Sequence, residues 1–285
     1  MSGALGAATD KLKFIVAYRS GLMQPTTFVQ QMNTLSALIG GRVAFNIVAG
    51  SSTSEQRGYG DFLAHDDRCA RAEEFLAVCH AFWRADGDVD FDGRFYRIKG
   101  GRLHTPFLAP GRTAPEIYVS GHSEQSEQLA CAHGTCWLRV IDTPEKLQPV
   151  VARVRERGIR VCLRLGLICK PTRQEAVSIV ESLLPRRQAG KCHAAQRRLT
   201  DVREGAAVTS DAHWLNRSLF AGLAPYYGPV WTTLLGTPNE LAEAFLAYKR
   251  IGVSEFIISG WPEVDEVDMF GQEVLPLVRE AERRA

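Results

Sequence analysis

The feature that most constrains the fold is an alternation of short apolar runs with helical patterns. Residues 13–18 and 43–48 are apolar runs of the kind found in strands buried on both faces. Between them, apolar side chains recur every three or four residues after Pro25, and Gly40-Gly41 ends the pattern. A strand, a helix and a second strand in this order form a β-α-β unit with a parallel sheet. The sequence therefore predicts an α/β protein.

The same alternation continues along the chain. We expect further strands at residues 116–120, 135–139, 161–168 and 254–259, and helices that begin at Asp66 or Asp67, near Ser123, at Pro144, at Thr237-Pro238 and near Val264. Residues 88–99 predict a β-hairpin with a type I′ turn at Asp92-Gly93, because such turns need positive φ at both central residues. Residues 185–231 predict a long insertion that acts as a mobile lid. No internal repeat occurs, so we expect a single domain over 1–285.

The number of strands bears on the fold class. A chain of 285 residues with this rhythm suits a β/α barrel, which needs eight parallel strands, whereas the sequence shows six in alternation. Too few residues precede the first strand to hold two more β/α units. We therefore expect a TIM-barrel-like (β/α)8 fold that is incomplete at its N-terminus. Its open wall would be closed by rearranged strands or by a partner subunit.

Composition excludes several classes of function. The chain has 34 Lys and Arg against 32 Asp and Glu, which gives no basic field for nucleic acid. It has no apolar run long enough to span a bilayer and no secretory signal at residues 1–14, so we expect a cytoplasmic protein. The seven cysteines form no C-x-x-C pair and have no histidine at zinc-ligand spacing. They predict small buried apolar side chains and no metal site.

The strongest candidate for an anion site is the segment Ser120, Gly121, His122 and Ser123. It follows a predicted strand and opens a helix, so backbone N–H groups, hydroxyls and the positive end of a helix dipole come together. The alternative is an ordinary turn with a serine cap.

Three further side chains are candidates because they lie in or after strands. Asn46 interrupts an apolar strand and could bind a ligand ring or a neighbouring strand. His65 precedes a helix, where a surface or capping role is the alternative to catalysis. Arg164 lies within an apolar strand, so it must meet a carboxylate or an anionic ligand.

These pieces together resemble the bacterial luciferase-like flavin monooxygenases, and within them the alkanesulfonate monooxygenase branch. The resemblance is carried, in matching order, by KFIVAYRSGLMQPTTFVQQMNTLSALIGGRVAFNIVAGSS, FLAHDDRCARAEEF, VDFDGRFYRIKG, IYVSGHSEQSEQLA, LRLGLI and FIISGWP. It implies a (β/α)8 barrel with insertions that binds reduced flavin mononucleotide (FMN) at the carboxyl ends of its strands and activates dioxygen on the flavin. By position, Asn46 would contact the isoalloxazine and segment 120–123 the flavin phosphate. His65 and Arg164 would be the catalytic residues.

The chain also departs from the pattern of the branch. Cys69 replaces a tyrosine, Gly166 a histidine, Ala49 a threonine and Trp261 a tyrosine, while Tyr227 aligns approximately with a loop arginine. The loss of several polar partners for an anion argues against a small sulfonate as substrate. Tyr227 and Trp261 would instead line an aromatic substrate pocket.

The resemblance thus implies a two-component monooxygenase, alkanesulfonate monooxygenase-like, that oxidises a small organic substrate with reduced FMN and O2. A separate flavin reductase would supply the reduced FMN, because the chain has no nicotinamide fingerprint. We expect a homo- or hetero-oligomer. Two alternatives stay open: a degenerate, non-catalytic luciferase-like subunit with a structural or flavin-binding role, and a barrel enzyme with another flavin-like cofactor.

Overall fold

A computed structural model of the chain describes residues 1–50, 52–84, 87–184, 213–260 and 263–284. The chain divides into two units, Met1–Trp137 and Leu138–Ala285, and each is described by itself below. The expected single domain over 1–285 stays a prediction.

The first unit is built on a parallel sheet. Its elements are α1 (Ser2–Ala7), β1 (Phe14–Arg19), α2 (Pro25–Leu38), β2 (Val43–Val48), α3 (Thr53–Gly58), α4 (His65–Arg84), β3 (Val89–Asp92), β4 (Arg97–Gly101), β5 (Glu116–Ser120) and α5 (Glu124–His133). Strand β2 lies between β1 and β5, and all three run parallel. The three strands predicted in this part of the sequence are confirmed.

Aromatic side chains pack one face of this sheet against α2 and α4. The Phe28 ring lies 4.5 Å from Tyr18 of β1, 5.4 Å from Phe45 of β2 and 5.2 Å from Phe75 of α4. Because successive side chains of a strand point to opposite faces, Asn46 projects from the face turned away from these helices.

The predicted hairpin is confirmed, but its turn differs from the prediction. Strands β3 and β4 pair antiparallel and are joined by residues 93–96. The φ of Gly93 is not in the positive region, so the turn is not type I′. The Glu74 carboxylate of α4 instead accepts hydrogen bonds from the backbone N–H groups of Arg94 and Phe95 at 2.9 and 2.8 Å. The turn is therefore stabilised by hydrogen bonds to a side chain of α4, and not by the backbone conformation of Asp92 and Gly93.

The start of α4 also differs from the prediction. The helix begins at His65, so Asp66 and Asp67 lie in its first turn instead of capping it. Both carboxylates there interact favourably with the positive end of the helix dipole.

The second unit repeats the parallel arrangement. Strand β6 (Cys136–Val140) crosses the division, and it is followed by α6 (Pro144–Glu156), β7 (Arg160–Cys169), α7 (Arg173–Leu183), β8 (Leu219–Phe220), α8 (Ala224–Tyr227), β9 (Thr233–Gly236), α9 (Pro238–Arg250), β10 (Glu255–Gly260), α10 (Glu263–Met269) and α11 (Leu275–Arg284). Strands β10 and β9 flank β7 in parallel, and β8 pairs antiparallel with β9. Helix α9 begins where it was predicted, and its start is a capping box formed by Thr237 and Glu240.

Four elements of this unit, α7, β8, α8 and β9, were not predicted from the sequence. Strand β9 is a further parallel strand, so the expected count of six was too low. Helix α7 begins with a capping box of Thr172 and Glu175. Of the insertion predicted as a lid over 185–231, residues 213–231 hold β8, α8 and a 3-10 turn, while 185–212 lie outside the described residues.

No disulfide bond joins cysteines within the part of the chain that the structure describes. Cys79, Cys136, Cys162 and Cys169 are buried, as predicted, whereas Cys69 and Cys131 are only partly buried. Cys192 lies outside the described residues.

Candidate functional site

Asn46 and Ser120 meet at the carboxyl ends of β2 and β5. Asn46 lies opposite Tyr118 in the strand register, and the Ser120 hydroxyl donates a hydrogen bond of 2.6 Å to Asn46 Oδ1. Asn46 therefore does bind a residue of a neighbouring strand, which was one of the two roles predicted for it. Because Oδ1 accepts from Ser120, the two Nδ2 hydrogens are the groups with which Asn46 can bind a ligand on this face.

The turn after β5 brings the backbone against α5. Gly121 has φ +151°, and a Cβ there would lie 2.4 Å from Ser126 Cβ, so only glycine fits. The Ser123 hydroxyl accepts the Ser126 N–H at 3.2 Å, which is the capping role given above as the alternative, and His122 is exposed. The start of α5 thus combines a side-chain cap with the positive end of a ten-residue helix.

His65 lies at the surface, as the first residue of α4. Its Nε2 is 3.7 Å from the sulfur of Cys69, one turn further along the helix. Burial and the nearby Asp66 raise the pKa of the Cys69 thiol, so the sulfur stays protonated at neutral pH. The pair offers an imidazole beside a neutral thiol at the position where the resemblance places a tyrosine.

One buried and one partly buried arginine of α4 were not identified from the sequence. Arg68 is 2% exposed and donates to the carbonyl oxygens of Leu63 at 2.6 Å and Gly50 at 3.1 Å. It therefore ties the residues after β2 to the start of α4. The signal available in the sequence was a charged residue on the apolar face of the helix.

Arg71 holds the end of β1 in the same way. It forms an ion pair of 2.5 Å with Asp61 and donates to the carbonyl oxygen of Ser20 at 3.1 Å. Burial alone would raise the pKa of Asp61, but the hydrogen bond and the charge of Arg71 lower it below its ordinary value. A Cβ on Gly21 would lie 2.3 Å from the guanidinium carbon, so this contact also requires glycine.

A buried amide lies beside the same loop. Gln56 is fully buried, and neither atom of its side-chain amide has a hydrogen-bond partner within the described residues. A Cβ on Gly50, which has φ +86°, would lie 2.0 Å from Gln56 Nε2. Buried polar groups are normally paired, so a ligand or an ordered water is expected at this amide.

In the second unit, Arg164 projects from the middle of β7. Its neighbour Leu163 is in register with Phe256 of β10, whose ring packs 4.8 Å from Phe245 of α9. Arg164 therefore points to the face away from α9. This is the second of the two predicted catalytic residues, and the structure tests neither role.

Gly166 lies on the same face as Arg164, two residues along β7. A Cβ there would lie 2.4 Å from the hydroxyl oxygen of Thr233 on β9. Thr233 is fully buried and donates its hydroxyl to the Trp231 carbonyl oxygen at 2.8 Å. The space that a side chain at 166 would need is thus taken by Thr233.

Of the two residues predicted to line the substrate pocket, the structure describes Tyr227 but not Trp261. The hydroxyl of Tyr227 donates to the Leu183 carbonyl oxygen at 2.6 Å, and its ring lies 5.3 Å from Trp231. The side chain is 44% exposed, so Tyr227 packs at the surface of the second unit. Trp261 lies outside the described residues.

A buried carboxylate at the carboxyl end of β7 had no sequence signal. Glu266 is 1% exposed, accepts the Cys169 N–H at 2.6 Å and forms an ion pair with Lys170. Burial raises the pKa of Glu266, and burial with the charge of Glu266 raises that of Cys169 to about 12. Cys169 is therefore a structural thiol, and the ion pair joins α10 to the end of β7.

Two classes of feature are absent from the described residues. No group of three or more His, Cys, Asp or Glu side chains there could hold a metal ion. No helix among them is long and apolar enough to cross a membrane.

Comparison with solved structures shows the fold. A riboflavin lyase with modified FMN and riboflavin matches with a TM-score of 0.77 and 22% identity, over 99% of this chain and 73% of that one. A long-chain alkane monooxygenase matches with 0.74 and 20%, over 98% and 72%. An F420-dependent secondary alcohol dehydrogenase matches with 0.68 and 20%, over 97% and 82%. The chain therefore has the luciferase-like, TIM-barrel-type fold that was predicted.

The family assignment comes from the sequence of the chain as a whole. Residues 1–255 match the luciferase-like monooxygenases, which covers most of the 285 residues. The match includes Asn46, His65, segment 120–123 and Arg164. The protein is therefore an enzyme of the luciferase-like monooxygenase family.

Proposed function

We propose that this chain is the oxygenase of a two-component system, which uses reduced FMN and O2 to oxidise a small organic substrate. The observation that carries the proposal is the hydrogen-bonded pair of Asn46 and Ser120 beside the Gly121 turn. These residues lie at the carboxyl ends of parallel strands, where β/α barrels hold their ligands. When bound, the flavin would supply the oxygen chemistry, and the protein would orient it and exclude water.

The residues of the first unit fit a flavin with a phosphate tail. Asn46 presents amide hydrogens to a ring with carbonyl acceptors. The turn at Gly121 leaves no room for a side chain, so its backbone can approach a ligand closely, and the start of α5 favours an anion. The side-chain amide of Gln56, which has no partner within the described residues, adds a buried donor and acceptor beside Gly50, just after β2.

For the chemistry, we propose His65 as a proton donor or acceptor and Arg164 as an electrostatic stabiliser. An exposed imidazole can exchange its proton with water, which suits a proton carrier. Arg164 keeps a positive charge at any relevant pH, and its strand position places that charge on the face away from the helices.

Substrate selectivity is proposed to differ from that of the alkanesulfonate branch. The space beside Arg164 that a histidine would need is filled by Thr233. Tyr227 and Trp261 are proposed to add aromatic surface to the substrate pocket. A separate flavin reductase, a homo- or hetero-oligomeric state and a cytoplasmic location complete the proposal.

One alternative is favoured by a particular observation. Ser123 is engaged as a helix cap, and Ser120 is engaged with Asn46, so both hydroxyls have partners without a flavin. This would suit a non-catalytic luciferase-like subunit. A related deazaflavin such as F420 is a second alternative, because an F420-dependent enzyme shares the fold.

Anaerobic titration with reduced FMN tests these possibilities. We expect saturable binding, followed on admission of O2 by flavin oxidation with a time course that differs from that of free reduced FMN. Asn46→Ala should weaken binding about tenfold, as expected for a lost hydrogen bond to a bound ligand, while the exposed Arg84→Ala on α4 should leave it unchanged. Absence of both binding and altered oxidation would refute the proposal. Binding of F420 but not FMN would identify the other cofactor.

A further inference from the structure

A cavity of about 400 Å³ opens at the amino-terminal ends of β7 and β10. Its polar lining consists of Arg155, Gly158, Arg160, Lys249, Gly252 and Ser254. Lys170 and Gly260 lie at the other ends of these two strands, where barrel chemistry is expected. We propose that this cavity binds a small organic phosphate, separately from the proposed flavin and substrate sites.

The charge of the lining favours an anion. Three lining side chains are cationic and none is acidic. Arg160 is paired with Glu255, and Lys249 is paired with Glu282 at 2.6 Å. Arg155 forms no ion pair within the described residues, so three cations against two carboxylates leave one positive charge at the cavity. An anion would complete the balance.

The Arg155 side chain lies close to the backbone of Gly252 at the cavity wall. Gly252 has φ +103°, and a Cβ there would lie 2.4 Å from Arg155 Nη1. The guanidinium therefore lies directly on the loop before β10, and any other residue at 252 would displace it. Arg155 is exposed and lies against this loop, so its guanidinium is within reach of a ligand in the cavity.

The shape and chemistry of the cavity select the ligand class. A guanidinium presents a planar fork of donors that matches phosphate oxygens. The volume lies within the range of small-molecule pockets and exceeds the need of a bare phosphate. Ile159 and Val253 add apolar wall beside the cations, which suits an organic group attached to the phosphate.

Calorimetric titration of the full chain tests the proposal. The probes are ribose 5-phosphate, uncharged ribose, and citrate as a carboxylate anion of comparable size. We expect ribose 5-phosphate to bind with a Kd on the order of 1 mM or tighter, and the other two to bind at least about tenfold more weakly. Arg155→Ala should weaken ribose 5-phosphate about tenfold. Arg157→Ala, an exposed arginine outside the lining, is the matched control and should have no effect.

A second variant is expected to bind the ligand more tightly, an outcome that misfolding could not produce. Glu282→Gln removes the carboxylate paired with Lys249, so ribose 5-phosphate should bind about threefold more tightly. Thermal melting of each variant checks that the fold is retained. The proposal is overturned if ribose 5-phosphate does not bind, if citrate binds equally well, if Arg155→Ala and Arg157→Ala behave alike, or if Glu282→Gln does not tighten binding.

Discussion

Replacing the buried Arg68 by methionine probes how the first unit holds its strand ends. The arginine is 2% exposed, and its two donors reach the carbonyl oxygens of Leu63 and Gly50 at 2.6 and 3.1 Å. Methionine has a similar length but no donor. The substitution therefore leaves two partly buried carbonyl oxygens without these partners while keeping most of the packing.

The expected loss of stability follows from these contacts. Each buried carbonyl oxygen that loses its partner costs about 1–3 kcal/mol. Removing a buried cation returns part of this, because the guanidinium no longer has to be desolvated. We therefore expect Arg68→Met to lower the free energy of unfolding by about 2–4 kcal/mol.

Urea unfolding followed by circular dichroism gives this free energy from the midpoint and the slope. Arg84→Met on the same helix is the control, since Arg84 is exposed, and it should change stability by less than about 0.5 kcal/mol. Reduced-FMN affinity should also fall in Arg68→Met, because the Gly50 loop follows the strand of Asn46. If Arg68→Met were as stable as the control, the clamp on Gly50 and Leu63 would have no energetic role.

Three further outcomes are expected. Gly121→Ala places a Cβ 2.4 Å from Ser126 and should cost about 1–3 kcal/mol in urea unfolding, with weaker binding of reduced FMN. Burial lowers the pKa of His133 from 6.5 to about 4, so the unfolded chain binds this proton more tightly and stability falls as pH drops through that window. The loss, on the order of 1 kcal/mol after solvent screening, should shrink in His133→Gln when urea midpoints at the two ends of the window are compared. Gly166→His should lower the melting temperature, and adding Thr233→Ala should restore part of it, because the threonine hydroxyl occupies that space.

Much of the fold could be predicted because buried parallel strands carry continuous apolar runs. Strands β2 and β5 match their predicted bounds, and β7 differs by only one residue at either end. Strand β9 was missed because it is four residues long and directly follows an irregular segment. The turn type at Gly93 was wrong because its N–H groups are satisfied by Glu74, about twenty residues earlier, and local sequence does not report such a contact.

The candidate site was predictable only in part. Asn46 and Ser120 were each identified from strand position, and the register then brought them into hydrogen-bond contact. Arg68 was missed because charged residues on helices usually face water. Its burial follows from backbone carbonyl oxygens in two loops that only the folded chain brings together. Glu266 was missed for the same reason, because it contacts Cys169 of β7, which lies almost a hundred residues earlier in the sequence.

The packing at Gly166 shows how the chain accommodates one of its departures from the pattern of the sulfonate branch. A glycine where the branch has a histidine would leave a cavity, which costs stability, unless a neighbouring side chain fills the space. Here Thr233 from the neighbouring strand fills the space, is fully buried and has its hydroxyl paired with the Trp231 carbonyl oxygen. The glycine and the threonine therefore form one packed arrangement, beside an arginine that the strand still presents on the same face. Because Thr233 occupies this space, a histidine at residue 166 would have to displace Thr233 from its buried, hydrogen-bonded position.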